Sequence, residues 1–184
     1  MAYFSSREVA AIAMSAALWG VLNSFFSPLV FSLTHLPLFC DLIGFAVLTV
    51  AVWWIRKFGA AIAIGLIATV INFALNPQAL IFLGFTAAAF VFDASEALGG
   101  YSDLFAKPCS ITFAAIGIST LSAAFAGLII GSLLMAGPAL KQGGGVLGWA
   151  GLHAVGGIIG GIIGASLVLT LASRGIFDAG QPET

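Results

Sequence analysis

Between the long apolar stretches of this 184-residue chain, the basic residues fall in alternate gaps. Arg7, Arg56, Lys57, Lys107 and Arg174 occupy every second gap, and Lys141 alone lies in the others. A water-soluble domain has no reason to sort charge in this way, whereas membrane insertion retains Lys and Arg on the cytoplasmic side. The pattern predicts an all-α integral membrane protein with Arg7, the Arg56-Lys57 turn, the Lys107 loop and Arg174 in the cytoplasm. Composition agrees, because 61% hydrophobic and 7% charged residues leave too little polar side chain to cover a soluble globule. A net charge of −1 offers no basic stripe to neutralise phosphates, which sets nucleic acid aside as a partner.

A helix needs about twenty residues to cross roughly 30 Å of hydrocarbon. A window of that length finds six candidates, at 9–26, 38–54, 58–75, 78–98, 110–135 and 146–173. Ser27 to Pro37 reads as a proline-bracketed, apolar connection on the outer side. Asn76-Pro77 marks a tight outer turn, since proline disfavours helical geometry in the residue before it. Gly99 to Asp103 reads as a plain loop, Gly137-Pro138 closes the fifth helix, and three consecutive glycines from Gly143 precede the sixth. The first segment lacks a small-residue cleavage site and is followed by further spans, so it is expected to be a retained helix. The expectation is one transmembrane domain over residues 1–184, a six-helix bundle with both termini cytoplasmic.

Several chemistries are missing. GxxxxGK[ST] does not occur, so energy from ATP has to come from a partner and the chain itself needs no cofactor. Cys40 and Cys109 fall at opposite membrane faces in this topology, too far apart for a disulfide, and read as small apolar fillers. No CxxC or HxxxH spacing occurs, and His35 and His153 sit on different segments, which argues against a metal centre. No arrangement for nucleophilic or acid–base catalysis stands out, and an enzyme is not expected.

The polar residues within or at the ends of the spans converge on the outer side: Asn23, His35, Asp41, Asn72, Asn76, Gln78, Trp149 and His153. Ionisable groups in lipid cost roughly 2.5 to 3.5 kcal/mol and so face protein or a wet cavity. Asn23, His35, Asp41, Asn72, Gln78, Trp149 and His153 are therefore candidate solute contacts, most of them with a plainer reading alongside. Asp41 fits interfacial solvation equally well, and His35 fits a wet loop. Asn23 and Asn72 fit interhelical fasteners, and Asn76 fits a turn residue. His153 fits an imidazole tied to a neighbouring carbonyl, although Trp149 shares its helix face four residues earlier. Asp93 and Glu96 read as a solvated helix end or a partner contact. Trp53 and Trp54 beside Arg56 suit an interfacial anchor. Ala13 and Ala17 form an AxxxA stripe, and Gly156, Gly160 and Gly164, with Gly157 and Gly161 beside them, form a GxxxG ladder that predicts close packing within the bundle.

Size, six helices, cytoplasmic termini, the bulky first connection and the Ala13/Ala17 stripe together resemble the substrate-binding S components of energy-coupling factor transporters. The resemblance covers essentially the whole chain. It implies prokaryotic plasma-membrane localisation, capture of a vitamin or vitamin precursor from outside, and docking of a transmembrane coupling subunit on Ala13 and Ala17. It also implies a pair of cytoplasmic ATPases as further partners. The stretch from Ile55 to Ala61, the Asn76-Pro77 turn and the glycine-rich last helix look most like the branch associated with thiamine or its hydroxymethylpyrimidine precursor. The start Met1-Ala2-Tyr3 departs from the Met-His start of the nickel and cobalt branch. A self-sufficient secondary carrier and, less so, a membrane enzyme are the alternatives.

Overall fold

The computed structural model describes residues 3–77, 79–135 and 137–175, and among them every regular element is helical. The helices are α1 Ser6–Thr34, α2 Leu38–Ile55, α3 Ala60–Leu75, α4 Leu83–Gly99, α5 Tyr101–Leu104, α6 Pro108–Ile129, α7 Pro138–Gln142 and α8 Gly145–Ser173. A 3-10 turn at Leu80–Phe82 leads into α4, and a π turn at Ile130–Leu134 extends α6. Five segments are long and apolar enough to cross a membrane: Ser6–Thr34, Leu38–Ile55, Leu80–Gly99, Pro108–Leu134 and Gly145–Ser173. The sixth expected span is the apolar α3. Its 16 residues rise only about 24 Å at about 1.5 Å each. Gly59, at φ 92°, delimits it at one end and Asn76-Pro77 at the other.

Three expected boundaries are corrected. The first helix does not stop at Phe26 but runs through Pro28 to Thr34, so the connection shrinks to His35, Leu36 and Pro37. A proline within a helix is tolerated in an apolar setting where nearby hydroxyls satisfy backbone carbonyls. Pro28 has no N–H to give the Ser24 carbonyl one turn back, yet α1 continues through it. The chain leaves the helix only where His35 adopts a left-handed backbone, φ 56°. The expected loop after Gly99 contains the short α5. The fifth helix starts earlier, at Pro108, where a missing N–H costs nothing, and its last turn widens at Ile130.

Helices pack in a closed circuit: α1 on α3, α3 on α4, α4 on α6, α6 on α8, α8 on α2, and α2 back on α1. The glycine ladder explains why α8 serves two neighbours. A Cβ at Gly156, Gly160 or Gly164 would run into Asp41, the Asp41 carbonyl or Thr49 of α2. One at Gly157 or Gly161 would come within 2.6 and 2.7 Å of the Ser119 and Ala115 carbonyls of α6. Paired glycines thus let two backbones approach from different sides, as small-residue packing in lipid requires. The outer surface is apolar, with Met14, Val70, Leu98, Phe113 and Leu133 all exposed, a face that lipid rather than water accommodates.

One end of the bundle gathers the basic residues and is held by local polar contacts. Ser5 and Glu8 form a capping box at the start of α1, and Glu8 Oε2 also pairs with Lys57 Nζ at 2.8 Å. Arg56 lies over the Phe105 ring at 5.5 Å. Trp53, Phe105, Ile111 and Val168 form a small apolar cluster there.

Candidate functional site

At the opposite end a cleft of about 700 Å³ opens between the close of α1 and the start of α8. Phe31, Thr34, His35 and Leu36 line one side, and Gly143, Gly144, Trp149 and Leu152 the other. The triple glycine makes this wall, because Gly144 and Gly145 take φ of 82° and 74°, a region glycine enters without steric cost. Gly143 lies so close against the Trp149 indole nitrogen that a Cβ there would collide with it.

From the cleft an unbroken series of aromatic rings runs into the core. His35 meets Phe31 at 6.2 Å, Phe31 meets Trp149 at 6.3 Å, and Trp149 meets His153 at 5.9 Å. His153 then meets Phe85 at 5.5 Å, Phe85 meets Phe82 at 5.5 Å, and Phe82 meets Trp19 at 5.3 Å. These separations lie within the range of attractive ring contacts.

Beside this series sits a buried ionisable pair. His153 Nδ1 donates to Asp41, 2.8 Å from Oδ2 and 3.1 Å from Oδ1, and the two side chains are 1% and 0% exposed. Asp41 lies in the first turn of α2, where the helix dipole favours negative charge. Gly156, one turn on from His153, makes room for it. With Nδ1 committed to the carboxylate, the exchangeable position of the imidazole is Nε2. That atom is buried without a hydrogen-bond partner, as are Trp149 Nε1, Trp19 Nε1 and Asn72 Nδ2. Buried indole and amide nitrogens normally find partners, and three of these atoms, on Trp19, Trp149 and His153, belong to rings of the series.

The sequence-derived candidates divide accordingly. Asp41, Trp149 and His153 come together, and His35 stands exposed at the cleft mouth. Asn72 is buried in the last turn of α3 with its amide nitrogen unpartnered. Asn23 is buried, and its Oδ1 accepts from Ser27 Oγ at 2.7 Å within its own helix. Gln78 lies outside the described residues. Interfacial solvation does not describe Asp41, nor a tie to a backbone carbonyl His153. Trp19, Phe31, Phe82 and Phe85 were not singled out from sequence. Phe82 and Phe85 share a face by their i, i+3 spacing, but that signal is lost among 16 phenylalanines.

Elsewhere, Ala13 and Ala17 are exposed on α1, free of the bundle's own packing. Asp93 and Glu96 are not a solvated helix end: both are buried, at 0% and 1%. Cys109 is exposed rather than an interior filler, and both cysteines are free. Among the described residues no three His, Cys, Asp or Glu side chains group as metal ligands. No family model, curated protein or solved structure matches this chain.

Proposed function

We propose that the protein captures a small, flat heteroaromatic solute from outside the cell, as the substrate-binding subunit of an energy-coupling factor importer in a prokaryotic plasma membrane. In this reading the chain has six spans, with α3 as the short one, and both termini are cytoplasmic. The observation that carries it is the Asp41–His153 pair, fully buried beside a ring-lined path on which His153 Nε2, Trp149 Nε1 and Trp19 Nε1 are unpartnered. Trp149 and Phe31 stack on the solute, and His153 Nε2, Trp149 Nε1 and Asn72 hydrogen-bond its edge. Asp41 fixes the imidazole's tautomer and orientation. Thiamine or its hydroxymethylpyrimidine precursor has the flat ring, with a donor for His153 Nε2 and acceptors for the indole and amide N–H groups, that such a wall would engage. A transmembrane coupling subunit docks on the Ala13 and Ala17 face, and paired cytoplasmic ATPases supply the energy that a chain without a phosphate loop cannot.

Mass spectrometry of small molecules retained through detergent purification identifies the solute, and titration calorimetry then measures its affinity. His153→Ala and Trp149→Ala are each expected to weaken binding by about tenfold or more, roughly 1.4 kcal/mol. Parent-like affinity in both variants would remove the site assignment. Buried ionisable groups also occur in self-sufficient carriers. Solute uptake by proteoliposomes holding this chain alone would favour that alternative. Co-purification with a coupling subunit, lost on Ala13→Leu and Ala17→Leu, would favour import.

A further inference from the structure

Glu96 lies on α4, three residues from its end, on the side of the bundle remote from the cleft. Its side chain is 1% exposed and Oε2 has no hydrogen-bond partner. Neither of the ion pairs Lys57–Glu8 and Asp41–His153 reaches it, and among the described residues no basic side chain pairs with it. One turn earlier on the same face, Asp93 is supplied with three donors. The backbone N–H groups of Gly59 and Ile62 reach Oδ2 at 2.8 and 3.1 Å, and the Tyr101 hydroxyl reaches Oδ1 at 3.4 Å. An acceptor of three hydrogen bonds is what an ionised carboxylate is suited to be. Glu96 receives none of them, so its buried Oε2 has neither a donor nor a cation to offset a charge. A desolvated carboxyl without partners takes up a proton instead of holding a second negative charge beside the first.

The geometry points to Glu96 as a proton-binding site: a neutral carboxylic acid held in the apolar interior next to an ionised Asp93, separate from the solute cleft. The groups that face it are Asp93 on its own helix and Tyr101 on α5. Lys57 is engaged with Glu8, and Arg56 lies on Phe105. The ligand of this site is a proton.

A lipid-soluble carbodiimide tests this on the purified full-length protein. It needs a protonated carboxyl in an apolar setting. The acid's proton passes to a carbodiimide nitrogen while the carboxyl oxygen bonds to the central carbon, and an O-to-N acyl shift then gives a stable N-acylurea with no atom lost. Peptide mapping by mass spectrometry after dicyclohexylcarbodiimide is expected to find the adduct on Glu96 and not on Asp93, with little product from a water-soluble carbodiimide. Glu96→Gln, an uncharged isostere, is expected to lose the adduct and keep the parent's thermal midpoint. Infrared absorption of a protonated carboxyl, measured on the parent and absent from Glu96→Gln, reports the same state without labelling. Should Glu96→Gln fail to fold, the parent's adduct map and infrared band decide alone. No adduct on Glu96, an adduct on Asp93 in its place, or equal labelling by the water-soluble reagent would overturn the proposal.

Discussion

A histidine and an aspartate separated by more than a hundred positions in the sequence share one hydrogen-bonded contact because a glycine stands beside them. A Cβ on Gly156 would approach the Asp41 Cβ to 2.6 Å, closer than side chains pack. Gly156→Ala is therefore expected to displace Asp41, lowering stability by about 1–3 kcal/mol, the usual cost of an overfilled interior. Gly117→Ala is the matched control, since nothing lies within 4 Å of a Cβ there. Thermal unfolding of the detergent-solubilised variants should show a lower midpoint for the first and an unchanged or higher one for the second. The types and rough depths of Asp41, Trp149 and His153 were legible in the sequence. Their union was not, because spacing along separate helices does not fix how those helices rotate toward one another.

At the level of the helix, α3 starts without a side-chain cap of its own, since its N-cap is Gly59. Asp93 reaches across from α4 to supply that cap, accepting from the N–H groups of Gly59 and Ile62. An orphan helix terminus within a bundle needs such a partner, so Asp93→Ala is expected to cost about 1–3 kcal/mol through unsatisfied buried donors. Glu8→Gln should behave differently, because glutamine preserves the capping box. The pair it breaks, with side chains 38% and 17% exposed, is worth at most about 1 kcal/mol. Chemical or thermal denaturation of the two variants side by side separates these cases. The acidic residues near the end of the fourth helix looked like a solvated terminus in the sequence because a carboxylate near a helix end usually reaches water. What buries Asp93 is the start of another helix, 34 positions away from it at Gly59.

For the molecule as a whole, the closed circuit of helices and the gathering of basic residues at one end are consequences of the same alternation in the sequence. That asymmetry predicts an orientation in the bilayer that is open to direct measurement. In a background of Cys40→Ala and Cys109→Ser, a membrane-impermeant maleimide applied to intact cells is expected to label Lys141→Cys. It should label Arg174→Cys only after permeabilisation. The reverse pattern would turn the cleft toward the cytoplasm and end the capture proposal.

The sequence by itself determined the class of this protein, since long apolar segments with alternating basic gaps can satisfy their backbone only as helices in lipid. It also determined the close packing of the last helix, because paired glycines at four-residue spacing have no Cβ to hold neighbours apart. Tertiary structure alone decided that α1 continues through Pro28, that Asp93 caps α3, and that Asp41 meets His153 beneath Trp149. Each of these depends on which faces of distant helices touch. That is settled by packing summed over the whole bundle, and no local pattern of residues encodes it.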